Sequence, residues 1–334
     1  MHRPANLPEI IMILRRLATL LPVALLCFAN LACGQTFPDK PVRIIVPFGT
    51  GSAVDTIARV VGAQVAEQIG QPVIIDNRTG ANGIIAAEAV ARSVPDGYTL
   101  FMPNDGMMAA NPAMYAKLPY DPLKDFLPVT LFSTVPLVLV VNPSVTAKTL
   151  AEFIALAKAK PDSINYSSTG AGAAQHLAME FFMEASGTRL THVPYKAMGP
   201  ALADVLAGHV PAMFSGMSNV ISLVRDGKLR ALGASTAKRS SAMPEVPTIA
   251  EAGVPGYHYA AWNGVVAPAG TPPEVIRKLH AEFAKAIASP AVRTRLATLG
   301  FELSGDGPAE FSALIRSDVA RYGKLIRALG ITAN

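Results

Sequence analysis

Val42-Arg43-Ile44-Ile45-Val46-Pro47-Phe48-Gly49-Thr50-Gly51-Ser52-Ala53-Val54-Asp55-Thr56-Ile57-Ala58-Arg59 reads as a buried strand, a loop of small residues and the opening of a helix. The apolar run suits a strand covered on both faces, and Asp55, Ile57 and Ala58 begin a 3.6-residue period that ends at Gly70. The loop has almost no side-chain bulk. A small molecule can therefore approach its backbone N–H groups and the positive end of the helix dipole, which makes an anion the natural guest.

The pattern returns about 120 residues later in Ile164-Asn165-Tyr166-Ser167-Ser168-Thr169-Gly170-Ala171-Gly172-Ala173-Ala174-Gln175-His176-Leu177. Two such units predict two α/β lobes whose helix N-termini face a shared cleft, because parallel sheets bind ligands at the carboxyl ends of their strands. Neither loop contains Lys or Arg. Recognition is expected from neutral donors: main-chain amides and the hydroxyls of Thr50, Ser52, Ser167, Ser168 and Thr169.

At 334 residues and 51% hydrophobic content the chain can bury a large core divided between two domains. Its net charge of +5 comes from scattered Lys and Arg, without a basic run interleaved with aromatics, so a nucleic-acid partner is not expected. Both cysteines, Cys27 and Cys33, fall in the first 33 residues, and the histidines show no HExxH spacing. Neither a disulfide, nor a thiolate nucleophile, nor a metal site is expected in the folded body.

Arg15-Arg16 followed by the apolar segment 17–28 has the parts of a secretory signal and is too short to span a bilayer. The reading is a signal peptide over 1–34 and a soluble exported protein. A lipid anchor at Cys33 is the lesser reading, since Asn30 stands where an apolar residue is required.

Strand and helix patterns then alternate, predicting parallel sheets built from βα units. Strands are expected at 73–76, 98–102, 137–141, 164–168, 190–194, 210–215, 229–235 and 259–267. Helices are expected at 82–93, 149–160, 199–207, 219–226, 272–288 and 308–329. Pro119, Pro122 and Pro128 mark an irregular passage before 137–141, which carries the chain into the second lobe, and 259–267 leads back. The expected division is 35–138 with 257–334 as one lobe and 139–256 as the other, joined by two crossings that act as a hinge.

Other chemistries fit less well. Gly49-Thr50-Gly51-Ser52-Ala53-Val54 with Asp76 suggests a dinucleotide fingerprint, but Val54 occupies the position that needs Gly or Ala. Ser52, Asp55 and His176 suggest an exported serine hydrolase, but no GxSxG elbow surrounds any serine. Asp55 is more simply a first-turn carboxylate that fixes its own loop. Arg78 and Lys196 are possible charged contributors to the site, and Trp262 and Tyr195 possible aromatic ones.

The order Phe37-Pro38-Asp39-Lys40-Pro41-Val42-Arg43, Val46-Pro47-Phe48, Asp76-Asn77-Arg78, Pro95-Asp96-Gly97-Tyr98-Thr99-Leu100, Asn111-Pro112, Leu118-Pro119-Tyr120-Asp121-Pro122, His192-Val193-Pro194-Tyr195-Lys196 and Ala267-Pro268-Ala269-Gly270-Thr271-Pro272 resembles the Bug/TctC family. These are extracytoplasmic solute receptors of tripartite tricarboxylate transporters, and the resemblance covers the whole mature chain. It implies a two-lobed, type II-like periplasmic binding protein fold, with two parallel or mixed sheets flanked by helices and a ligand cleft between the lobes. It further implies a monomer without cofactor or catalytic activity, which captures a small organic dicarboxylate or aromatic acid for permease subunits in the membrane. A receptor feeding a signalling system is the alternative within the same class. The loops matching 48–55 and 168–174 hold the ligand's proximal carboxylate in that family, partly through ordered water.

Together the residues and the resemblance give the candidate ligand-binding set Phe48, Gly49, Thr50, Gly51, Ser52, Asp55, Asn104, Ser168, Thr169, Gly170, Ala173, Ala174, His176, Tyr195 and Ser215. Two positions depart from the family. The first loop is poorer in Pro and Gly than is usual, and Ser215 stands where many relatives carry an Asp able to receive an ammonium group, which argues against an amino-acid ligand.

Overall fold

The computed structural model describes residues 37–240, 242–298 and 301–332, and from Lys40 onward the chain forms one unit. The expected export signal lies outside the described residues.

The decisive stretch folds as read. β1 (Val42–Val46) is buried at four of its five positions, and α1 (Ala53–Ile69) starts where Ser52 Oγ accepts the Asp55 N–H at 3.2 Å. That hydroxyl satisfies one of the free amides of the first turn. Gly70, with φ 68°, closes the helix in the left-handed conformation that glycine adopts without a Cβ clash. β2 (Val73–Asn77) then pairs parallel with β1, and α2 (Ile84–Ala91) follows a 3₁₀ turn at Ala81–Gly83. β3 (Thr99–Phe101) lies parallel on the other side of β1. All three loops at the carboxyl ends of β1, β2 and β3 therefore open at one edge.

Beyond β3 a π-helical turn at Gly106–Ala110 runs into α3 (Asn111–Met114), neither of which the hydrophobic spacing announced. The expected irregular passage is shorter than read. β4 (Phe126–Val141) is a 16-residue strand that already includes Pro128, seated opposite Val266 where the register shifts. The residue the bulge leaves unpaired is the neighbouring Val129, so the ladder is already irregular beside the proline.

The second repeat follows as α4 (Leu150–Ala159), β5 (Asn165–Ser168), α5 (Ala174–Ser186), β6 (Thr191–Pro194), α6 (Met198–Ala207), β7 (Ala212–Gly216), α7 (Met217–Arg225) and β8 (Arg230–Ala234). β5 pairs parallel with both β6 and β7. β9 (Ala260–Pro268) returns antiparallel along residues 126–136 of β4. The chain ends with α8 (Pro273–Ala288), α9 (Pro290–Thr298), β10 (Glu302–Leu303) and α10 (Pro308–Ala328); α9 and β10 were not expected from the sequence.

The strand order β2-β1-β3-β9-β4-β7-β5-β6, with β8 and β10 also paired to β4, makes β4 the shared member of both halves. Its first eleven residues pair with β9 and its last five with β7 and β8. α10 spans the two cores. Phe311 packs edge-on against Trp262 at 5.1 Å in one, and Tyr322 meets Phe181 at 5.2 Å in the other.

Candidate ligand-binding cleft

Two adjoining compartments lie at the carboxyl ends of the parallel strands. The first, of about 490 Å³, is lined by Phe48, the 80–83 turn, Asn104, Met107, Asn111 and Met114 on one side and by Thr169 and residues 171–175 on the other. The second, of about 430 Å³, is lined by Gly51, Ala53, Thr56, Asn104, Asp105, Ala174, Gln175, Gly216, Ser218, Asn219, Trp262 and Asn263 among others. Asn104, Ala174 and Gln175 border both, forming the waist between them. None of the described lining residues is Lys or Arg, and Asp105 is the only carboxylate.

Of the candidate residues, Phe48, Gly51, Asn104, Thr169, Ala173 and Ala174 come together here. The others sit behind or beside the cleft. Asp55 is buried and accepts the Gly51 N–H at 2.8 Å, Asn77 Nδ2 at 2.8 Å and Arg59 Nε at 3.0 Å. Burial alone would raise its carboxyl, but the bonds from Arg59, Gly51 and Asn77 hold it below the usual range. Asp55 thus braces the loop as expected, although through Gly51 rather than through the amides of its own helix.

All five expected hydroxyls bond within the protein, Thr169 Oγ1 by donating to Gln175 Oε1. Thr50 Oγ1 turns outward to Asn77 Oδ1, and Ser52 caps α1. Ser167 Oγ donates to the Ala201 carbonyl, and Ser168 Oγ lies 2.6 Å from His192 Nε2 while also accepting the Gly170 N–H. The reason is burial: Ser167 and Ser168 end a parallel strand with no exposed surface, where a hydroxyl must find a partner inside the protein. Ser215 is also fully buried and reaches only the neighbouring Gly216 carbonyl at 3.4 Å. The Tyr195 hydroxyl donates to Asp204. Gly49 and Gly170 line neither compartment, and Arg78 and Lys196 are likewise absent from both walls.

His176 is 95% buried, accepts the Gly172 N–H at Nδ1 and turns Nε2 toward Glu180, so it shapes the loop from below. Its ring stacks on His192 at 4.2 Å, and Tyr166 covers the other histidine at 5.0 Å. Desolvation in this stack, with His176 beside it, pushes His192 down to about 4.

The donors that do reach the cleft are main-chain amides and carboxamides. α5 begins at Ala173 without a side-chain cap, leaving its first N–H groups open. Asn104 Oδ1 accepts the Met107 N–H at 3.1 Å, and of the two ends of a carboxamide only the oxygen can accept, so the Asn104 amino group is fixed as the free end. Gln175 is held by Thr169 at 3.0 Å.

A family model described as the tripartite tricarboxylate transporter family receptor matches residues 57–331. The chain belongs to this receptor family. BugT of Bordetella pertussis is 36% identical over 297 residues, which are 89% of this chain and 91% of that one. An R. palustris protein solved with adipate is 36% identical over 89% of this chain and 99% of its own, with a TM-score of 0.74. MatC from Rhodopseudomonas palustris, solved with bound malate, is 34% identical over 87% of this chain and 100% of its own, with a TM-score of 0.71. The receptor has the two-lobed periplasmic binding protein fold and belongs with solute-binding proteins, not enzymes. That removes the hydrolase and dehydrogenase alternatives.

Asn82, Asn111, Gln175, Ser218, Asn219 and Asn263 were not among the candidates, yet all line the receptor's cleft. A signal for one was present: Asn263 interrupts an otherwise apolar strand between Trp262 and Gly264.

Proposed function

We propose that this receptor captures the carboxylate of a small organic acid between the loops at 48–53 and 169–175, outside the cytoplasm, and delivers it to the membrane partner of a tripartite transporter. The observation that carries this reading is the uncapped start of α5 at Ala174 and Gln175 facing Phe48 and Asn104 across walls free of Lys and Arg. Neutral N–H donors and a helix dipole favour a carboxylate without holding it as tightly as a guanidinium fork would. A transport receptor must release what it binds. The export signal and the two-lobe division at 138/139 and 256/257 belong to the same proposal, with closure of the lobes as the working step.

Native mass spectrometry of freshly purified protein, followed by a thermal-shift panel of organic acids, tests the reading. A co-purified acid, or a melting temperature that rises with acid concentration, supports it. Binding of cations or sugars with no response to acids would overturn it.

A further inference from the structure

Asn263 is 95% buried on β9, borders the second compartment, and makes no side-chain hydrogen bond with any described residue. Two carboxamides of the first compartment have their amino groups engaged: Asn82 Nδ2 donates to the Tyr115 hydroxyl at 2.8 Å, and Asn111 Nδ2 to the Asn82 carbonyl and the Tyr120 hydroxyl. The Asn263 side-chain oxygen and nitrogen are not sealed from solvent, so its carboxamide opens on the cleft and, beside the free Asn104 amino group, can bond a guest there. Beside it, α7 starts at Gly216 without a side-chain cap, and Ser218 and Asn219 stand exposed in its first turn.

We infer that Asn263, with the first turn of α7, is the specificity wall of the receptor, and that it reads a hydroxyl or keto oxygen on the acid's backbone. The inference rests on the carboxylate reading above and names the substrate class as hydroxy or oxo acids. Asp105 borders the same compartment, with its Oδ2 taken by the hydroxyls of Tyr259 and Tyr322. A second full negative charge next to that carboxyl is unfavourable, whereas a ligand hydroxyl can donate to one neighbour and accept from the other. A site that hydrogen-bonds a substrate hydroxyl rejects the analogue lacking it, because its own polar groups are then unpaired.

Malate, succinate and aspartate share one carbon skeleton and differ at this single substituent. Isothermal titration of the whole protein should give malate at least about tenfold tighter than succinate, with aspartate weaker than malate. Asn263→Leu should erase the difference between malate and succinate, with malate losing more affinity than succinate. Ser218→Ala/Asn219→Ala, at exposed positions, should narrow the gap without touching the core; thermal melts check that both variants fold. Equal affinity for malate and succinate in wild type, or a gap that survives both variants, overturns the inference and leaves carboxylate binding intact. Preference for aspartate overturns it too and gives the reading role to Asp105. If none of these and no acid in the wider panel binds, the inference and the carboxylate reading fall together.

Discussion

The Gly172 amide donates to His176 Nδ1 across 3.1 Å, repeating in the second βα unit the contact that the Gly51 amide makes with Asp55 across 2.8 Å in the first. In each case a loop glycine with positive φ, 76° and 83°, bonds the residue four places on, inside the first turn of the helix. The contact fixes the loop that faces the cleft, and it withdraws one amide from the ligand. His176→Phe removes the acceptor while keeping an aromatic ring in the stack. It should weaken acid binding about tenfold, or roughly 1.4 kcal/mol, with a smaller effect on the melting temperature. Titration calorimetry beside a thermal melt separates the two.

His192 predicts an acid-sensitive fold. Its folded pKa of about 4 lies below the ordinary value of 6.5, so between these the unfolded chain holds a proton that the folded chain has released. Stability should therefore climb as pH rises through that window and fall on acidification. Allowing for partial solvent access, the change from pH 6.5 to pH 5 is about 1 kcal/mol. Because Asp105 titrates in the opposite sense over an overlapping range, the measure is the difference between wild type and His192→Gln in urea unfolding, which should move in favour of wild type by this amount from pH 5 to pH 6.5.

Asp105 works in the opposite sense. Burial raises its carboxyl from 3.8 to about 6, against the stabilising bonds from Tyr259 and Tyr322. The folded chain then holds the extra proton, and stability attributable to this group falls as pH rises from about 4 to about 6. Asp105→Asn keeps an acceptor oxygen for the tyrosines and removes the titration. Above pH 7 it should be at least as stable as wild type, by up to about 2 kcal/mol, with the advantage vanishing near pH 4. A variant less stable than wild type at pH 7.5 would contradict this account.

Gly264 marks where α10 closes on the crossing strand. A Cβ there would lie 2.4 Å from Phe311 Cζ and 2.9 Å from the Thr130 carbonyl, and the backbone atom cannot move aside. Gly264→Ala should cost about 3 kcal/mol or more through overpacking. Gly227→Ala, in open space but at φ 71°, where Gly264 has no positive φ, isolates backbone strain from overpacking, and its cost should be about 1 kcal/mol.

The paired βα units were legible because their signal is local: an apolar run, a small-residue loop and a helical period within eighteen residues at 42–59. β4 was only half legible, since Pro128 and Pro136 look like strand breakers until the bulges and β9 pairing are known. α9 has no amphipathic stripe that spacing could reveal, with only Val292 and Leu296 buried. Within the cleft, proximity in sequence to the loops located Thr169 and Ala174, but it could not distinguish a hydroxyl turned outward from one turned into the core. Asn263 and Asn219 reach the same space from distant segments, brought there by strand order alone.

Because one unbroken β4 supplies backbone partners to both halves, no cut between them spares a strand. Neither half should survive excision as an autonomous module, whereas breaks placed in exposed turns should be tolerated. Diversification of such a molecule toward new cargo is thereby channelled into loops and first helical turns, with the spine of the architecture left alone.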